Sequence, residues 1–177
     1  MGSLATKVLI VLFIVVGILY IVIISKISEL DTKARDAGSN IDSSIWEISH
    51  FLNLIAELLK KHGTIVPDEL NVTPVLALGM SAGVQFTTYI DLMSKKESLL
   101  KLLEENAAAS ASEEAATYRK RLADAETDIV GYSLKYNKRA NELNAFLDKP
   151  IISWFGQRKG YTTRGNFFPQ SINNDAQ

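Results

Sequence analysis

Three primary amides, Asn137, Asn141 and Asn144, stand close together in YSLKYNKRANELNAFLDKPIISWF, residues 132 to 155, a stretch that otherwise reads as helix. An amide both donates and accepts, so such a row can bond a neighbouring helix and fix its register, or hold a polar ligand. Other groups are poorly placed for chemistry. His50 and His62 are twelve residues apart and cannot share a metal as an i, i+4 pair could. The carboxylates pair as neighbours, Glu104 with Glu105 and Glu113 with Glu114, and neighbouring residues on a helix point in different directions. No Gly-x-Ser-x-Gly, P-loop or Gly-x-Gly-x-x-Gly motif occurs, and there are no cysteines for a disulfide or a thiolate metal site. The expectation is a non-enzymatic chain with no cofactor, no metal and no small-molecule substrate. One further cluster stands out, WFGQRKGY, in which Trp154 and Phe155 lie beside Arg158 and Lys159. It reads either as a contact with the membrane interface and lipid headgroups, or as a tryptophan closing the end of a bundle with solvated basic neighbours.

The asparagines gain meaning from the helix that carries them. Apolar and small residues recur at Tyr118, Leu122, Ala125, Ile129, Tyr132, Tyr136, Ala140, Leu143 and Leu147, with gaps of three and four and one extra four between 132 and 140. That pattern predicts one long helix with a buried stripe and a stutter. Asn137 and Asn144 are seven apart and about 100° from Tyr136 and Leu143, so they flank the stripe instead of filling it. Ser112, Glu113 and Glu114 suit the start of this helix, and Asp148, Lys149 and Pro150 end it.

Earlier in the chain, Ile41, Ile45, Ile48, Leu52, Ile55 and Leu59 form a heptad seam, with Asp42, Glu47, Asn53, Glu57 and Lys60 on the opposite face. This helix either runs on from the preceding segment or restarts at Ser39 and Asn40, and it stops at Gly63. Thr73 and Pro74 make a suitable start for a buried or interfacial helix through Phe86. Residues 87 to 105 are amphipathic, with Ile90, Met93, Leu99, Leu100, Leu102 and Leu103 apolar, and Asn106 to Ser112 reads as a turn or weak helical connection. No alternating segment is long enough to build a sheet. The fold class is therefore all-α: an elongated antiparallel bundle of three to four helices behind an N-terminal anchor.

The anchor is VLIVLFIVVGILYIVII, 17 residues from Val8 to Ile24 without a charge, enough to span a hydrocarbon core of about 30 Å when flanking lysines reach outward. It exceeds the hydrophobic region of a signal peptide, and no small-x-small cleavage pattern follows it. The organisation is a short tail at 1–7, a transmembrane anchor at 8–25, a helical bundle at 26–155, and an aromatic and basic segment with a disordered polar tail at 156–177. Lys26, Lys33 and Arg35 follow the anchor against Lys7 before it, so the charge count favours a cytoplasmic C-terminal domain of a single-pass cell-membrane protein. The bilayer is the expected partner, along with proteins or further copies of the chain. A near-neutral formal charge of −1 argues against nucleic acid.

Late in the chain, Ile129, Tyr136-Asn137, Leu143-Asn144, Pro150, Ile151-Ile152, Gly156 and Phe167-Phe168 follow a pattern that resembles the LemA family of bacterial membrane proteins. The first bundle helix, SNIDSSIWEISHFLNLIAELLKKHG, is also similar to that family's first helix. Leu143 stands where the family pattern has a second aromatic residue. The resemblance implies an N-terminal membrane helix followed by a helical bundle, without established enzymatic activity; the anchor, the long seams and the absence of catalytic motifs point to a structural or interaction protein. The alternative is a pilin-like filament or homo-oligomer subunit packing through its apolar helix, where Gly17 permits close approach.

Overall fold

Residues 8 to 24 carry no charge and no proline, and apart from Gly17 and the Tyr20 hydroxyl their side chains are apolar, which leaves the backbone one favourable state, since in lipid a helix alone satisfies its own N–H and C=O groups. In the computed structural model, which describes residues 2–74 and 79–167, this helix does not stop at the end of the apolar run. Helix α1 spans Gly2–Lys61, followed by a 3-10 turn at Asp68–Leu70, α2 at Ala82–Glu105, α3 at Ala107–Ser110, α4 at Glu113–Leu147 and α5 at Pro150–Arg158. The fold is all-α, with no strand among the described residues. Large apolar side chains from Val8 to Leu19 are 46% to 78% exposed. Beyond them the same helix acquires a one-sided core face at Ile27, Leu30, Ala34, Gly38, Ile41, Ile45, Ile48, Leu52, Ile55 and Leu59, all buried. The seam thus starts two heptads before Ile41, and Gly38 is one of its members rather than a break. A Cβ at Gly38 would lie 3.5 Å from the Tyr136 ring, an ordinary van der Waals contact, so the ring packs directly over the glycine.

The chain divides into two units. The first comprises residues 1–34 and 138–164, the second 35–137 and 165–177. Within the second, α1, α2 and α4 supply the core. Helix α1 ends at Gly63, whose φ of +79° favours glycine, with the Thr64 N–H bonded to the Leu59 carbonyl as in a Schellman cap. The α2 face is Gln85, Leu92, Leu99 and Leu103, while Ile90 is 49% exposed and takes no part in the core. Asn106 links α2 to α3: its Oδ1 accepts from the Ala109 N–H, and its Nδ2 donates to the His62 carbonyl and to Thr64 Oγ1. Ser112 starts α4, its Oγ accepting from the Ala115 N–H.

Three local expectations change. Thr73 and Pro74 do not open a helix; α2 begins at Ala82, and Val75 to Leu78 lie outside the described residues. Gly79 adopts φ +76°, and its N–H donates to Asp42 Oδ2 at 3.1 Å. Asp42 is accordingly buried, 5% exposed, instead of lying on a solvated face, and Gln85 Nε2 donates both to its Oδ1 and to the Gly38 carbonyl. Covering Asp42 leaves neither carboxylate oxygen unsatisfied, because each accepts a hydrogen bond. On α4 the buried stripe runs Leu122, Ala125, Ile129, Ser133, Tyr136, Ala140, Leu143 and Leu147. Ser133 replaces Tyr132, which stays half-exposed, and the stutter falls between 125 and 133. Ser133 is small enough for the seam, and its hydroxyl is satisfied by the Val130 carbonyl.

The first unit is built on Ile27, Leu30, Leu143 and Leu147, with Ile23, Ile24, Phe146, Ile152 and Tyr161 packed around them. Pro150, at the first turn of α5, fits a position that has no N–H to lose. Helix α5 continues past residue 155 to Arg158. Its buried Gly156 lets it close on the core: an added Cβ would meet Leu147 Cδ2 at 2.9 Å and Ile27 Cδ1 at 3.6 Å. Gly131 on α4 has nothing within 4 Å. Gly156→Leu is therefore expected to destabilise the protein by about 1–3 kcal/mol, and Gly131→Ala to stabilise it by about 0.5–1 kcal/mol through helix propensity. Thermal unfolding of the detergent-solubilised chain, followed by circular dichroism, measures both.

Candidate membrane-interface site

Helix α5 lies against the last turns of the apolar stretch. Phe155 meets Tyr20 edge-on at 5.2 Å between ring centroids, and Trp154 meets Phe155 at 4.8 Å. Ile151, Trp154 and Arg158, at i, i+3 and i+7, share one outer face, the first two being 69% and 52% exposed. The Arg158 guanidinium sits 4.4 Å over the Trp154 ring, a cation–π contact that leaves a basic head beside an apolar plate. Trp154 therefore does not close the end of the core. Lys159 is exposed and ends the helix, its N–H donating to the Gly156 carbonyl while the Gly160 N–H donates to that of Gln157.

A groove of about 720 Å³ runs along this part of α1. Tyr20, Ile21 and Ile24 line its apolar end, and the other lining residues include Ser25, Ser28, Lys159 and Tyr161, whose side chains carry hydroxyl and ammonium groups. Glu29 also lines it, bonded by both Lys33 and Lys26. Hydrogen bonds from Lys33 first and Lys26 second hold its carboxyl at about 2, well under the usual value. Charge in this unit is one-sided: nine Lys and Arg against four Asp and Glu give +5, whereas the other unit carries ten against sixteen, or −6.

The asparagines serve a different structure. Asn144 pairs with the Arg164 peptide, Oδ1 accepting from its N–H and Nδ2 donating to its carbonyl, both at 2.8 Å. Arg164 in turn directs its guanidinium to Asp31 Oδ1, at 2.7 Å from Nη2 and 3.1 Å from Nε. In the other unit, Asn137 Oδ1 accepts from the Phe167 N–H at 2.8 Å, and Tyr136 donates its hydroxyl to the Gly165 carbonyl at 3.1 Å. Phe167 is fully buried, against Phe86 and Tyr89. The partners are thus main-chain groups of a terminal segment, not a neighbouring helix, and Asn141 is exposed without a hydrogen bond. Ile129 and Leu143 are plain core residues at 0% exposure. Phe168 and the polar tail lie outside the described residues. Sequence reasoning missed Asp31 and Arg164, which are 133 residues apart, and no local spacing signals such a pair.

Elsewhere the potentially reactive groups are used structurally. His50 stacks on Trp46 at 5.1 Å, and the half-buried Lys96 and Glu126 pair at 2.7 Å. No group of three metal-ligating side chains occurs among the described residues. No family model, curated protein or solved structure matches the chain.

Two outcomes follow. Asn144→Ala strips both bonds from a partly buried peptide and should cost about 1–3 kcal/mol, while Asn144→Asp, which keeps the acceptor, should cost less; hydrogen exchange of the Arg164 amide reports the release directly. Glu29 has a folded-state value below its unfolded one, so its contribution is present above about pH 4.5 and disappears as pH falls toward 2. The melting-temperature difference between the wild type and Glu29→Gln should shrink to nothing across that window.

Proposed function

We propose that this chain is a LemA-type, single-pass membrane protein whose helical domain stands on the cytoplasmic side and serves a structural or interaction role without catalysis. The observation that carries the reading is the change of environment along α1. None of its most apolar window is buried by the protein, yet the same helix supplies the core a few residues later. An apolar cylinder left uncovered on every side is suited to lipid.

The sidedness rests on charge. Lys26 and Lys33 follow the apolar run, and Lys149, Arg158 and Lys159 belong to the same unit, against Lys7 at the other end. A basic surface beside a membrane helix is attracted to the anionic inner leaflet by about 1 kcal/mol per basic residue close to the surface. The LemA reading rests on the residues that resemble the family's pattern, and Tyr136, Asn137 and Asn144 have here a shared task in holding the terminal segment. Packing of apolar helices from several copies into a filament is the rival arrangement.

With an epitope tag after Gln177, protease added to spheroplasts of a bacterial host should leave the tag intact and remove it only after the membrane is permeabilised. Removal in intact spheroplasts would place the domain outside and refute the orientation. Filaments in detergent-free preparations under negative stain would favour the rival.

A further inference from the structure

We propose that the groove beside α1 is a binding site for one anionic phospholipid, with its phosphodiester held by Lys159, Ser25 and Ser28 and an acyl chain lying along Tyr20, Ile21 and Ile24. The inference rests on the membrane reading above and deepens it. Position identifies the occupant. The apolar end of the groove is made by the last turns of the uncovered stretch, so bilayer chains reach it laterally without crossing any protein barrier. Its α1 wall runs from Tyr20 to Lys33, 14 residues that span about 20 Å of helix. Headgroup layers are about 5–8 Å thick on each side of the hydrocarbon, so the groove begins among the acyl chains and passes through the phosphate level.

The polar end has matching chemistry. Lys159 carries no ion pair, and the hydroxyls of Ser25 and Ser28 have no hydrogen-bond partner among the described residues. These groups can donate to a phosphodiester without breaking a bond inside the protein. The one carboxylate in the lining, Glu29, is already neutralised by two lysines and does not repel the anion. The unit's charge of +5 adds long-range attraction. Gly156 fixes the geometry, because its contact with Ile27 and Leu147 brings the α5 terminus, and Lys159 with it, close to α1. The outer pair of Trp154 and Arg158 supports the same depth, with an amphipathic ring and a cation at the level where both are favoured.

The full-length protein is reconstituted into vesicles of phosphatidylcholine and phosphatidylglycerol, extracted in mild detergent, and analysed by native mass spectrometry. One phosphatidylglycerol per chain should survive in preference to phosphatidylcholine. Lys159→Glu should lower that retention roughly tenfold or more, and Ser28→Leu, which fills the polar end from an exposed helix position, should also lower it. Lys101→Glu, the same charge reversal on the exposed face of α2, should leave it unchanged. Equal retention of the two lipids, retention untouched by Lys159→Glu, or displacement by inorganic phosphate would overturn the proposal. Vesicle flotation separates the two levels of argument: a chain that floats with vesicles but retains no phosphatidylglycerol refutes the groove alone, and one that does not float refutes the membrane reading as well.

Discussion

Every part of the structure depends on one unbroken ladder of backbone hydrogen bonds, that of α1. Its first third cannot open anywhere, because an unpaired N–H or C=O in hydrocarbon costs several kcal/mol. Its remaining two thirds have water available and no such compulsion, yet stay helical because a continuous seam from Ile27 to Leu59 is buried. Gly38 belongs to that seam, with the Tyr136 ring packed over it. Where the apolar run meets the seam, the helix passes from lipid-facing on all sides to protein-facing on one side. Both α5 and the groove occupy that stretch.

Much of the helical framework was legible because periodicity is a local property. The heptads of α1 and α4, the Gly63 stop and the Ser112 start all follow from residues within two turns of one another. What could not be read was anything decided by a distant element. Asp42 looked solvent-facing because its own helix places it off the seam, and only the approach of Gly79 and Gln85 buries it. Tyr132 looked like core because it is large and apolar, but the α4 packing selects the smaller Ser133. Cation and ring on α5, Arg158 and Trp154, were visible as a cluster, whereas their position beside Tyr20 was not.

The asparagine spacing illustrates a signal present in the sequence and still hard to use. Seven residues of helix advance about 10.5 Å, and three residues of extended chain cover about 10 Å. Asn144 and Asn137 are seven apart, and the peptides they hold, Arg164 and Phe167, are three apart in the opposite order. A planar amide presents a donor and an acceptor as a peptide group does, so it can substitute for a β-strand's edge on a helix surface. Nothing nearby in sequence announces that the partner is the main chain of residues 164–167.

The pair of Asp31 and Arg164 sets a timetable for biogenesis. The 133 residues between them take roughly 7 to 27 s to synthesise at 5–20 residues per second. Throughout that interval Ile27 and Leu30 have been made, while Leu143, Leu147 and Arg164 have not. The core of that unit therefore closes only after α4 and α5 have been made, since Leu143, Leu147 and Ile152 supply the surface that Ile27 and Leu30 are buried against.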